Sequence, residues 1–132
     1  MTTPRLVSGR QYELIVETQV NLATDLLNGV RIDLPPSACI TGVEGNVLTA
    51  FNGTAPTFTL ADNSTTPVDY FNAASGGTVG PVAGNTAAIG LFYPAGAELT
   101  FSVGGTAAPT TGVVLIAVRY YIDGRSNESY TK

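Results

Sequence analysis

From Glu98 to Val103 every second residue is apolar, so that Leu99, Phe101 and Val103 fall on one side of an extended chain and Glu98, Thr100 and Ser102 on the other. That period of two marks a half-buried strand, and it recurs along this chain in short runs stopped by Gly, Pro or Asn. Tyr12, Leu14, Val16 and Thr18 alternate with Glu13, Ile15 and Glu17. Val30, Ile32 and Leu34 share a face before Pro35-Pro36 ends the run, because neither proline can donate to a ladder. Ala38 to Phe51 predicts a long strand bent at Gly42 and Gly45. Asn52-Gly53 suits a hairpin turn leading into a short strand from Pro56 to Ala61. Ala87 to Tyr93 predicts a further strand, closed by Pro94-Ala95-Gly96. Val113 to Asp123 is apolar on both faces as far as Ala117, which places it at the centre of a sheet.

Helical signals are few. Ala23 to Leu27 allows one turn, and Pro67 to Ala74 predicts a short helix, with Pro first, an early acid at Asp69 and Gly76-Gly77 as the stop. Gly76 to Asn85 and Gly104 to Gly112 have loop composition. About eight strands with one short helix predict an all-β fold, a two-sheet antiparallel sandwich of the jelly-roll kind rather than an α/β sheet, in which long helices would alternate with strands. The expected organisation is an extended N-terminal arm over 1–10, a β-sandwich domain over 11–124 and a polar C-terminal tail over 125–132.

At 132 residues the chain suits one domain with one core. Charged residues make up only 12%, about half the usual share, and a protein with so few charges often covers part of its surface by association. A net charge of −4, with six scattered basic residues, argues against nucleic acid and anionic lipid as partners. No stretch approaches the ~20 apolar residues of a membrane span and no secretory signal pattern opens the chain, so the expected place of synthesis is a cytosol. The Asn-x-Ser/Thr triplets at Asn52, Asn63 and Asn127 then suit turn chemistry better than glycosylation.

Catalytic apparatus is hard to find. With no histidine, the commonest general base, every Ser-His or Cys-His pair and the usual zinc ligand are missing. Cys39 stands alone and is expected to be a small buried hydrophobe. Carboxylate pairs such as Glu13 with Glu17, or Asp62 with Asp69, have the residue types of a glycosidase, yet Glu13 and Glu17 fit a solvated strand face. Asp62-Asn63-Ser64 with Asp69 offers oxygen ligands without the rhythm of a calcium loop, and a turn bonding its own backbone accounts for it better. No phosphate-binding Gly-Lys-Ser/Thr occurs. The expectation is therefore a non-enzymatic protein without cofactor or metal. Of the six tyrosines (Tyr12, Tyr70, Tyr93, Tyr120, Tyr121, Tyr130), the adjacent Tyr120 and Tyr121 should point to opposite faces of one strand.

Three runs carry a family likeness: Val47-Leu48-Thr49-Ala50-Phe51-Asn52-Gly53-Thr54-Ala55-Pro56-Thr57-Phe58-Thr59-Leu60, then Phe92-Tyr93-Pro94-Ala95-Gly96-Ala97-Glu98-Leu99-Thr100-Phe101, and the closing strand Gly112 to Tyr120. In these the chain resembles small structural proteins of tailed bacteriophages, particularly head decoration or cement proteins. The resemblance implies a virion protein on the outer capsid surface, self-associated as a dimer or trimer, that clamps neighbouring major capsid subunits and so stabilises the shell. The arm, with Arg5, Leu6, Val7 and Arg10, is the expected contact with capsid or sister subunit. The rival expectation is a receptor- or carbohydrate-binding module of a fibre or spike, for which the Asp62 to Phe71 region is the place to look.

Overall fold

The computed structural model describes residues 12–27 and 29–123. The expected arm, with Arg5, Leu6, Val7 and Arg10, and the expected tail over 125–132 lie outside the described residues. Among the described residues nine strands form: β1 (Leu14–Asn21), β2 (Val30–Leu34), β3 (Ala38–Thr49), β4 (Thr57–Asp62), β5 (Asp69–Ser75), β6 (Gly80–Ala83), β7 (Phe92–Tyr93), β8 (Ala97–Gly104) and β9 (Val113–Ile122). One four-residue helix, α1 (Leu22–Asp25), follows β1, its first turn capped by the Asn21 side chain accepting from the Ala23 N–H at 3.1 Å.

The strands divide into two antiparallel sheets, one ordered β1-β9-β3-β6 with β7 also on β3, the other ordered β2-β8-β4-β5. Thus β4 lies beside β5, β3 beside β6, β2 beside β8 and β1 beside β9. This is a two-stranded ribbon folded at the β4–β5 connection and rolled into two layers, which is a jelly roll. The all-β sandwich expected from periodicity is the one formed, and β9 is central, between β1 and β3.

Inward residues alternate as the pleat demands: Val114, Ile116, Val118 and Tyr120 on β9 face Ile32, Leu34, Phe58, Leu60, Leu99 and Phe101 from the other layer, and all are buried. Phe58 is the hub, with ring centroids 5.2 Å from Phe71, 5.8 Å from Phe51 and 5.8 Å from Phe101.

Four local expectations fail for identifiable reasons. The segment 67–74 is no helix: β5 occupies it, and two register irregularities against β4 let the consecutive Tyr70 and Phe71 both turn inward. A regular strand would send one of them out, so pairing with β4 overrides a local signal too short to nucleate a helix. The expected loop 76–85 contains β6, an edge strand of four residues that tolerates Pro81 because no described residue pairs on its far side. The expected strand 87–93 shrinks to β7, because Asn85 caps a 3-10 turn over Thr86–Ala88 and Gly90 takes a left-handed φ of 92°. The Asn52-Gly53 turn joins no hairpin, since β3 and β4 belong to different sheets and the chain there crosses from one layer to the other.

Register fixes the two ends of the sandwich. Asn21, Thr49, Val113 and Gly104 come together at one, where the connections 22–29, 50–56, 76–79 and 105–112 meet. At the other lie the connections 35–37, 63–68 and 84–96 with the first and last described residues.

Candidate functional site

Of the four candidate carboxylates, Asp62 and Glu13 are held by neighbouring groups and Glu17 stands exposed. Asp62, at the end of β4, is buried, and its Oδ1 accepts from the Ser64 hydroxyl at 2.8 Å, the Val68 N–H at 3.0 Å and the Ser64 N–H at 3.3 Å. Its Oδ2 accepts from the Tyr93 hydroxyl at 2.8 Å. The single proton of Tyr93 is thereby spent, so the 2.6 Å contact between the Tyr70 and Tyr93 hydroxyls has Tyr70 as donor. Burial alone would push the Asp62 carboxyl up, but donors from Val68, Ser64 and Tyr93 outweigh it and hold the group below its ordinary value. Burial pushes Tyr70 up to about 12, and Tyr93 is raised by its own burial and by its bonds to Tyr70 and Asp62.

The turn that bonds its own backbone, expected at Asp62-Asn63-Ser64, is therefore real and extends further than the sequence implies. It ties the β4–β5 connection to β5 and β7. Asp62 has both oxygens occupied by donors, and Tyr70 and Phe71 are buried rather than displayed as an aromatic platform. Asp69 pairs across to Ala61 at the start of β5. Among the described residues no group of three or more Cys, Asp or Glu is placed to hold a metal ion.

Glu13 and Glu17 both stand on the outer face of the five-stranded sheet, and they do not converge. Glu17 is exposed beside Ala117. Glu13 accepts from the Thr41 hydroxyl and lies 3.5 Å from Arg119 Nη1. Arg119 is the centre of this face: its guanidinium lies over Gly42, where a Cβ would stand 2.3 Å from Nη2 and would push the guanidinium aside. Its Nε approaches Glu44 Oε1 to 2.7 Å, an ion pair whose alignment is not that of a hydrogen bond, which leaves the shielded Nε–H without an acceptor. Three acids and one base give the belt across the middle of the face a net negative charge.

On the terminal side of this belt, Cys39 pairs with Phe92 on one flank and Tyr121 on the other, so three side chains form one outward row. Phe92 is 46% and Tyr121 40% exposed. Cys39 is thus partly exposed rather than the buried hydrophobe expected, because strand parity reserves the interior for Ala38 and Ile40. Its contact with Tyr121 raises that tyrosine's pKa. Tyr120 and Tyr121 do point to opposite faces, as expected. Toward the other end the same face carries the exposed Leu48, with Val113 and Leu115 partly covered. This outer face is the candidate site: two apolar ends separated by an acidic belt, a composition suited to contact with another protein surface. Arg119 could have been suspected from the sequence as the lone charge that follows the apolar run Val113-Val114-Leu115-Ile116-Ala117-Val118, but the Asp62–Tyr93–Tyr70 chain joins three distant positions with no shared signal.

The fold has a known counterpart. A chain of the solved structure titled "Capsid of Ralstonia phage GP4" superposes with a TM-score of 0.56 at 19% sequence identity, over 94% of this chain and 91% of that one. No protein-family model matches the sequence, and no curated protein matches it. At that identity the likeness is one of fold.

Proposed function

We propose that this chain is a structural protein of a phage capsid, carried in the virion, and that it acts as a decoration protein on the outer surface of the head. The observation that carries the reading is the end-to-end match in fold with a chain from a phage capsid, covering nearly the whole of both chains. The outer face of the five-stranded sheet supports it: a rigid antiparallel layer with exposed apolar rows on either side of an acidic belt. In this reading the protein bridges neighbouring major capsid subunits, and a dimer or trimer multiplies weak contacts through effective concentration. Arg5, Leu6, Val7 and Arg10 of the arm are proposed contacts with capsid or sister subunit. The chemistry asked of the protein is adhesion alone, without cofactor, metal or catalysis.

The test is co-sedimentation of the purified full chain with shells of its cognate major capsid protein, followed by thermal rupture of loaded and bare shells. Saturable binding and a higher rupture temperature are expected. Shells that neither retain the protein nor gain stability would refute the decoration role.

A further inference from the structure

Among the described residues, four of the five edge strands are short, doubly charged or broken, and one is not. β6 has four residues including Pro81, and β7 has two. β2 carries Arg31 and Asp33 and runs into Pro35-Pro36, and β5 is interrupted by two register irregularities and by Ala73 at φ 46°. These are the ordinary means by which sheets discourage a further strand. β1 has none of them beyond a single charge. It pairs with β9 through eight consecutive positions without a bulge, and Glu17 is its one charge. Among the described residues no backbone partner lies on its far side, Ile15 is 58% exposed, and the inward Leu14, Val16 and Thr18 remain only half-buried. Such an edge is a template for strand addition.

We propose that Arg5-Leu6-Val7-Ser8 of a second copy adds to this edge as an antiparallel strand, with Arg5 opposite Glu17, Leu6 opposite Val16 and Val7 opposite Ile15. Directly opposed residues share a face. Arg5 and Val7 then lie outside, one against the exposed carboxylate and the other against the exposed Ile15, while Leu6 covers the half-buried Val16. A one-residue slip would turn Leu6 outward, and a parallel strand with Arg5 still on Glu17 would set Val7 against Gln19 and Leu6 against Thr18. Pro4 and Gly9 bound the run. The occupant comes from a neighbour because Glu13, held by Arg119 and Thr41, keeps the chain in line with β1 beyond Leu14 and so directs it away from its own edge. Eleven residues precede Tyr12 and can span about 36 Å when extended, more than the roughly 27 Å of an eight-residue strand.

This goes beyond the capsid reading and is tested without shells, so its failure would leave shell binding untouched. In a Cys39→Ser background, chains carrying Val7→Cys are mixed with chains carrying Ile15→Cys and oxidised gently. The expected product is a disulfide-linked pair at twice the chain mass, and pairing Val7→Cys with Gln19→Cys should yield far less, since four residues along the strand exceed disulfide reach. Arg5→Glu should weaken self-association, read by light scattering, roughly tenfold, and adding Glu17→Arg should restore it. Deleting residues 1–10 should leave a folded monomer by circular dichroism. If Val7→Cys and Ile15→Cys link only when placed in the same chain, the arm folds back on its own edge and the proposal is wrong. It is equally wrong if neither arrangement links.

Discussion

Where the chain crosses from β3 to β4, the Phe51 ring is roofed by backbone: a Cβ on Gly76 or on Gly112 would stand 2.4 Å from its ring carbons. At the opposite end of the sandwich a buried carboxylate, Asp62, gathers four hydrogen bonds and joins β4, β5 and β7 through two tyrosine hydroxyls. The first end is closed by shape: its connections 50–56, 76–79 and 105–112 carry no charge, and Asp25 in 22–29 is its one acid. The second is closed by electrostatics. Shape closure is indifferent to pH and intolerant of volume, whereas a hydrogen-bonded carboxylate tolerates small changes in volume and responds to protons. Both ends hold together the two layers, of which the five-stranded sheet presents the outer face.

The largest effects are expected at the end closed by shape. Phe51→Ala empties a site under backbone that cannot collapse and should cost about 3–5 kcal/mol in denaturant unfolding. Gly112→Val should be comparably damaging, since it adds a side chain at φ 139° into the ring. A loss under about 1 kcal/mol from either would show that this end is loosely packed.

Next comes Asp62→Ala, which strands the Val68 N–H and the Tyr93 hydroxyl and should cost about 2–3 kcal/mol; Tyr93→Phe, which removes one link, should cost about 1–2 kcal/mol. The pH dependence sharpens the contrast. The folded Asp62 pKa lies below the unfolded value of about 3.9, so its contribution is fully present above that value and is lost as pH falls through the folded pKa. Tyr70 has the opposite sign: raised to about 12, it contributes fully below about pH 10 and loses its contribution as pH climbs through about 12. Asp62→Asn should flatten the acid limb of stability measured by urea titration, and Phe51→Ala should shift the whole profile down without changing its slope.

The smallest effect is expected on the outer face. Glu44→Gln removes a solvent-exposed ion pair and should change stability by well under 1 kcal/mol, while Phe92→Ser, on the same face, should weaken shell binding without moving the melting temperature. A Phe92→Ser protein that binds shells as well as the parent would exclude that row from the contact.

Strands with a clean alternation were legible. Leu99, Phe101 and Val103 lie inward as their spacing demands, Val30, Ile32 and Leu34 do the same, and the doubly apolar run of β9 marks its central place. β5 was not legible, because bulges against β4 break the period that would have revealed it. β6 was hidden by Gly80 and Pro81, residues that an edge tolerates and a pattern rejects.

The site divides in the same way. The exposed acids and the odd Arg119 can be seen along the chain, but the row of Phe92, Cys39 and Tyr121 exists only because β7 and β9 flank β3. The Asp62–Tyr93–Tyr70 chain likewise depends on three strands meeting at one end. By itself the sequence determined the class of fold, the inward faces of its regular strands and its low charge, because periodicity and composition are local. Strand order, the burial of two adjacent aromatics, the hydrogen-bonded closure at Asp62 and the unpaired edge of β1 were decided by the tertiary structure, because each depends on which distant segments become neighbours.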